Sequence, residues 1–110
     1  MERTEREWGY YTVLYDVPGN KVKELVVRPG KSLSMQKHEM RNEYWHVIEG
    51  TGNVLIETRS SSNNVFLGKQ HHVTIPKFSW HKLTNTGDID LRIIEIQYGE
   101  ECVEEDIERK

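Results

Sequence analysis

The stretch Gly30-Lys31-Ser32-Leu33-Ser34-Met35-Gln36-Lys37-His38-Glu39-Met40-Arg41-Asn42-Glu43-Tyr44-Trp45-His46-Val47-Ile48-Glu49-Gly50 decides how this chain is read. Its second half, Glu43–Glu49, alternates in the period of a strand, with Glu43, Trp45 and Val47 on one face and His46 on the other. Its first half, Ser32–His38, alternates more weakly and places Ser34, Gln36 and His38 on one side. Outward from this stretch the same short pattern recurs. Trp8–Tyr15, Lys21–Arg28, Asn53–Arg59, Val65–Leu67, His71–Ile75, Trp80–Asn85 and Leu91–Tyr98 read as strands. Val17-Pro18-Gly19-Asn20, Pro29-Gly30, Gly50-Thr51-Gly52, Ser60–Asn64 and Thr86-Gly87-Asp88 read as the turns and loops between them. Turn signals every ~8–12 residues are the pattern of an all-β sandwich or barrel. Only Val103–Arg109 has the makings of a short C-terminal helix, its acidic start suiting a helix N-terminus, and a frayed tail is the equal alternative.

The chain has 110 residues, the size of a single domain over 1–110. Residues 1–7 read as flexible and 103–110 as an acidic tail. Net charge is −3, with no long basic run, which argues against nucleic acid or an anionic membrane surface as partner. No apolar run approaches the roughly 20 residues needed to cross a bilayer. The charged N-terminus has no apolar segment behind it, so it does not read as a signal peptide. The single cysteine, Cys102, forms no internal disulfide and makes no cysteine-rich metal motif. A cytoplasmic location is expected.

Chemistry concentrates in two spacings. Gly30, Gln36, His38, Glu43 and Gly50 stand as Gly-x5-Gln-x-His-x4-Glu-x6-Gly, and Pro76, His81 and Asn85 follow as Pro-x4-His-x3-Asn. Glu43 opens the strand after a short loop, so it can face Gln36 and His38, while His81 comes from a later strand. In a closed barrel all four side chains converge. Two imidazoles, a carboxylate and an amide oxygen suit a divalent transition metal: zinc first, with Mn, Co, Fe or Ni as alternatives. His71 and His72 are adjacent, so on a strand they point to opposite faces and do not join one site.

These motifs resemble those of the cupin superfamily, with Gln36 where many cupins carry a first histidine. More closely, the chain resembles the isomerase domain of type II mannose-6-phosphate isomerases, which in bacteria often follows a mannose-1-phosphate guanylyltransferase domain. The matching stretches include Trp8–Tyr11, Lys21–Gln36, His38, Arg41, Glu43, Trp45, Ile75-Pro76, His81, Asn85, Gly87, Ile94–Gln97 and Glu105–Ile107 with Arg109. Type I isomerases also use a Gln-x-His pair, a Glu and a later His around zinc, which makes Gln36 look like a ligand. The chain departs from the family where Met40 replaces a usual histidine, and where Gln70 and Phe78 replace frequent glycines.

The resemblance implies a cupin double-stranded β-helix, a small jelly-roll barrel. It implies interconversion of mannose 6-phosphate and fructose 6-phosphate for mannose and polysaccharide biosynthesis, with a sugar phosphate as ligand and a homodimer paired through edge strands. A metal on Gln36, His38, Glu43 and His81 would polarise the carbonyl. Glu95 and Gln97 share one face of the last strand. If that face is inward, Glu95 is the candidate base and Gln97 a substrate hydrogen-bond donor; if Ile94 and Ile96 face inward instead, Glu95 lies in solvent. Lys31, Arg41 and Arg109 are candidate phosphate partners, and Ser34 faces the cavity. Arg41 has a second reading, a structural ion pair with a neighbouring carboxylate. The competing functional reading is a non-catalytic cupin that binds a sugar or another small ligand.

Overall fold

Alternating burial along the long strands sets the architecture of the computed structural model, which describes residues 1–110. Eleven strands and no helix follow one another: β1 (Thr4–Arg6), β2 (Gly9–Val17), β3 (Asn20–Val27), β4 (Gln36–Lys37), β5 (Arg41–Glu49), β6 (Gly52–Glu57), β7 (Ser62–Leu67), β8 (His72–Ile75), β9 (Trp80–Asn85), β10 (Leu91–Gly99) and β11 (Glu108–Arg109). They form two sheets, ordered β1-β2-β3-β10-β5-β8 and β11-β4-β9-β6-β7. All strand pairs are antiparallel. The two inner faces meet over a core that includes Leu25, Val27, Trp45, Val47, Val54, Leu67, Leu83, Leu91 and Ile93.

The inward positions of the central strands change character along their length. On β3 they run Val27, Leu25, Lys23, Lys21; on β10, Leu91, Ile93, Glu95, Gln97; on β5, Val47, Trp45, Glu43, Arg41. Register stacks like with like. Ile93 lies between Leu25 and Val47, Glu95 between Lys23 and Trp45, and Gln97 between Lys21 and Glu43. One half of the barrel interior is therefore apolar and holds the sheets together by burial. The other half is polar, and buried polar groups persist only where they are paired with one another or with a ligand.

Three expectations need correction. The Ser32–His38 strand contracts to Gln36–Lys37, because Ser32 makes only an isolated bridge to Thr84 and the chain has left the sheet by His38. The first seven residues are not simply loose: Thr4–Arg6 pairs with β2, and the Arg3 guanidinium lies 3.9 Å from the centre of the Tyr10 ring. The tail forms no helix. It makes turns at 104–106, and Glu108 and Arg109 then pair with Lys37 and Gln36. That pairing satisfies backbone groups on the β4 edge that a helix would leave open.

The two departures at glycine positions have a backbone cause. Gln70 and Phe78 are the two non-glycine residues with positive φ, at 67° and 70°. An L side chain in this region costs on the order of 1–3 kcal/mol. Phe78 is 60% exposed, so its ring recovers little by burial, while its N–H holds the His38 carbonyl at 2.8 Å. Phe78→Gly is expected to raise stability by about 1 kcal/mol, read as a higher urea midpoint at unchanged m. Gln70→Gly should gain less, because it gives up the 2.9 Å contact between Gln70 Oε1 and His46 Nε2. A lower midpoint for Phe78→Gly would show that its ring does more than strain the loop.

Candidate metal centre

His38, Glu43 and His81 bring one donor atom each to within 4.8 Å of one another. They come from three places: the loop after β4, the start of β5, and β9. Glu43 Oε2 is 3.3 Å from His38 Nε2, and Glu43 Oε1 is 3.8 Å from His81 Nε2. All three residues are less than 5% exposed.

The far side of each imidazole fixes its tautomer. His38 Nδ1 donates to the Asp106 carbonyl at 2.7 Å, and His81 Nδ1 faces the Ser79 carbonyl at 3.4 Å. A carbonyl only accepts, so the proton sits on Nδ1 and the Nε2 lone pair turns inward. Burial first, then the Arg41 charge, lowers the His38 pKa. Burial, then neighbouring His38, brings His81 down to about 4. Both rings are therefore neutral near pH 7, the form that binds a metal. Neutral nitrogens and a carboxylate aimed at one point fit a divalent transition ion.

Gln36 stands opposite His81 across β4 and β9. Its Nε2 donates to Ser34 Oγ at 3.2 Å, which leaves its Oε1 as the ligand-capable atom. Gln36, Glu43 and His81 line a cavity of about 680 Å³, whereas His38 reaches the group without lining it. Ser34, Lys31 and Arg109 are exposed and line the same cavity.

Arg41 takes its structural reading. Its Nε and Nη2 each lie 3.0 Å from Glu43 Oε2, and Nη1 donates to the Val103 carbonyl at 3.1 Å. Its Nη2 also lies 3.3 Å from His38 Nε2. These bonds give Arg41 its ion-pair role at 5% exposure, and it also lines the cavity that Gln36, Glu43 and His81 line.

The orientation of β10, left open by the sequence, is decided here. Glu95 and Gln97 face inward, at 5% and 0% exposure, while Ile94 and Ile96 are half-buried on the outer face. Glu95 Oε2 accepts from Trp45 Nε1 at 3.1 Å, and the same N–H reaches Glu43 Oε1 at 3.1 Å. One indole thus bridges the candidate base and a candidate ligand. Burial, then the Glu43 charge, pushes the Glu95 carboxyl up to about 7. Gln97 Nε2 donates to Glu95 Oε1 at 2.7 Å, and Gln97 Oε1 is a buried oxygen with no partner. Gln97 thus presents an unpartnered acceptor, while Nε2 keeps a second N–H for the expected donor role.

Sequence reasoning passed over Lys21, Lys23 and Glu104. Lys21 and Lys23 share parity with Leu25 and Val27, a signal that they face inward. Lys21 Nζ and Lys23 Nζ lie 3.1 and 2.8 Å from Glu104 Oε2. Burial alone would raise the Glu104 pKa, but the hydrogen bonds and charges of Lys23 and then Lys21 hold it down at about 2. A carboxyl depressed on folding stabilises above its unfolded pKa, and that contribution fades as pH falls from about 4.5 through about 2. Glu104→Gln should therefore be less stable than the parent at pH 6, and the gap should shrink as acid unfolding approaches pH 2. A gap that is constant with pH would assign the loss to packing instead.

Residues 1–110 match the family described as Mannose-6-phosphate isomerase C-terminal. The chain belongs to this family. Its barrel is a cupin. It is 44% identical over 106 residues to the alginate biosynthesis protein AlgA of Pseudomonas putida, which covers 94% of this chain and 21% of that protein. It is 40% identical over 104 residues to a mannose-1-phosphate guanylyltransferase of Sinorhizobium fredii, which covers 94% of this chain and 20% of that protein. The chain thus spans about a fifth of the length of these relatives. Among solved structures, the capsular polysaccharide assembling protein CapF of Staphylococcus aureus superposes with a TM-score of 0.83 at 21% identity, over 98% of this chain and 33% of that one. The oxalate decarboxylase of Lactobacillus farciminis gives 0.85 at 16% identity, again over 98% and 33%. At these identities the likeness is one of fold. No helix is long and apolar enough to cross a membrane.

Proposed function

We propose that this cupin domain is a divalent-metal-dependent aldose–ketose isomerase that interconverts mannose 6-phosphate and fructose 6-phosphate, in the service of polysaccharide synthesis. The observation that carries the reading is the placement of a buried carboxyl, Glu95, on the wall of the cavity that Glu43 and His81 also line. His38, Glu43 and His81, with Gln36 beside them, would hold the metal, with zinc the first expectation. Bound there, a divalent ion supplies Lewis-acid polarisation of the sugar carbonyl and its neighbouring hydroxyl.

The remaining work falls to side chains. In the aldose-to-ketose direction, the Glu95 carboxylate takes the proton from C2 and returns it to C1, while the hydroxyl proton on O2 passes to O1. Trp45 fixes one Glu95 oxygen and Gln97 the other, so the carboxyl need not reorient between the two carbons. The unpaired Gln97 Oε1 accepts a substrate hydroxyl. A pKa near 7 lets one carboxyl give and take a proton at neutral pH.

One contact favours a second reading, sugar binding without catalysis. Arg41 Nη2 sits against both His38 Nε2 and Glu43 Oε2, so a guanidinium already supplies positive charge to these donors. A single experiment separates the two. The protein is loaded with Zn, Mn or Co and incubated with fructose 6-phosphate in deuterated water, and NMR follows mannose 6-phosphate and deuterium at the exchanged carbon. Metal-dependent labelled product is expected. Folded, metal-loaded protein that exchanges nothing would overturn the isomerase reading in favour of binding.

A further inference from the structure

The polar half of the barrel holds a second charged group, one strand beyond Glu95. Lys21 and Lys23 alternate onto the inner face of β3, where they are 7% and 5% exposed. Register places them beside Gln97 and Glu95. Their ammonium groups converge on one oxygen, Glu104 Oε2. Lys21 Nζ also lies 3.8 Å from Asp16 Oδ2, a side chain 56% exposed, and Lys23 Nζ stands 4.2 Å from the centre of the Tyr11 ring. Two nearly desolvated cations thus share one close carboxylate oxygen.

The occupant and its receptors differ in how firmly they are built. Lys21 and Lys23 belong to a strand paired on both sides, by β2 and by β10. Glu104 belongs to the turn segment between β10 and β11, its side chain is 48% exposed, and its carboxylate bonds are those to the two lysines. Lys23 and Glu104 line the same cavity as Glu43, His81 and Glu95, whereas Lys21 does not line it and meets it through the same Glu104 oxygen. The Cα positions of β3 are two strand spacings from β5, roughly 10 Å. A sugar that presents one end to Glu43 and Glu95 can therefore reach the lysines with the other.

We propose that Lys21 and Lys23 are the anion subsite of this cavity, that its ligand is a phosphomonoester dianion, and that the Glu104 carboxylate holds the place until that ligand displaces it. A dianion matches two ammonium groups better than the one close Glu104 carboxylate does, with the exposed Asp16 carboxylate farther off at 3.8 Å, and a phosphoryl group offers each lysine its own oxygen. The subsite rests on the isomerase reading and deepens it by naming what grips the phosphate. It also explains why two lysines are carried on an inward face whose other end is aliphatic.

The test is binding, read without turnover. Isothermal titration of inorganic phosphate into the full chain is compared for the parent, Glu104→Gln and Lys23→Gln. Removing the competing charge should tighten phosphate by about tenfold in Glu104→Gln, and removing one ammonium should weaken it by at least about tenfold in Lys23→Gln. Hydrogen exchange supplies a measurement on the parent alone: saturating phosphate should speed exchange in residues 100–107 as Glu104 leaves, with no such change in sodium chloride of equal ionic strength. Unchanged or weaker phosphate binding in Glu104→Gln, or unchanged exchange in that segment, would overturn the subsite and leave Glu104 a structural clasp. Phosphate binding that follows the expected order in a protein inactive on fructose 6-phosphate would sink the isomerase reading and keep the subsite.

Discussion

His81→Ala is expected to abolish metal-dependent exchange between fructose 6-phosphate and mannose 6-phosphate and to lower metal affinity by at least a hundredfold, beyond the ~10–100-fold typical of losing a residue that only supports a ligand. The argument rests on geometry. His81 contributes one of three donor atoms that lie within 4.8 Å, and with its Nδ1 turned to a carbonyl the atom that alanine removes from the group is Nε2. His81 is a cleaner choice than Glu43. Glu43 accepts from Arg41 Nε and Nη2 and from Trp45 Nε1, so its removal leaves a buried guanidinium uncompensated and costs about 3–5 kcal/mol of stability on top of the lost ligand. His81 has no charged hydrogen-bond partner of that kind. His81→Gln, which keeps more of the volume, guards against a collapsed pocket. Metal content after dialysis and the isotope exchange assay check both variants. Tight metal binding retained in folded His81→Ala would remove His81 from the ligand set and with it the centre as drawn.

The reasons that some of this was legible in the sequence, and some not, differ residue by residue. Strands β5, β9 and β10 show in the sequence because one face of each is buried, and burial writes a period of two into the side chains. Glu43 and Trp45 follow from that parity. The ligand group follows from spacing, since barrel closure brings an early loop and a late strand together. Glu95 was ambiguous because Ile94 and Ile96 are apolar on the opposite face, so alternation alone is satisfied in either register. What decides it is the cross-strand partner set, Lys23 and Trp45, which parity within one strand cannot supply. Arg41 carries two readings for a related reason. A basic residue beside a ligand motif suits a phosphate, and only the long-range partners show that Glu43 and the Val103 carbonyl also hold its guanidinium. The tail resisted reading because its role is long-range. Asp106 is 68 residues from His38 in sequence, yet its carbonyl sets that ring, and its carboxylate accepts the N–H groups of Glu39 and Met40 at 3.0 and 2.9 Å. No local pattern announces such contacts.

Glu95→Gln should lower kcat by about 10²–10⁴-fold while KM and metal affinity stay within a few-fold of the parent. The substitution keeps the shape and the capacity to accept from Trp45 Nε1. With its oxygen kept toward Trp45, the new amide nitrogen meets Gln97, whose side-chain amide must turn over so that its oxygen accepts in place of the bond its Nε2 donates in the parent. With that turnover packing and the number of hydrogen bonds are kept, and stability should hold because a carboxyl buried beside Glu43 is replaced by a neutral group. What disappears is the ability to carry a proton between two carbons. The split between kcat and KM matters, because a residue that only shaped the cavity would move both. Solvent deuterium gives the second arm. If Glu95 is the base, Glu95→Gln loses isotope incorporation at the exchanged carbon in step with turnover. If another group is the base, incorporation persists and only its rate relative to product formation changes. Retention of kcat within a few-fold in the folded variant would take the proton away from Glu95 and return the search to the other titratable groups of the cavity, of which His81 and Glu43 are proposed metal ligands and Lys23 is paired with Glu104.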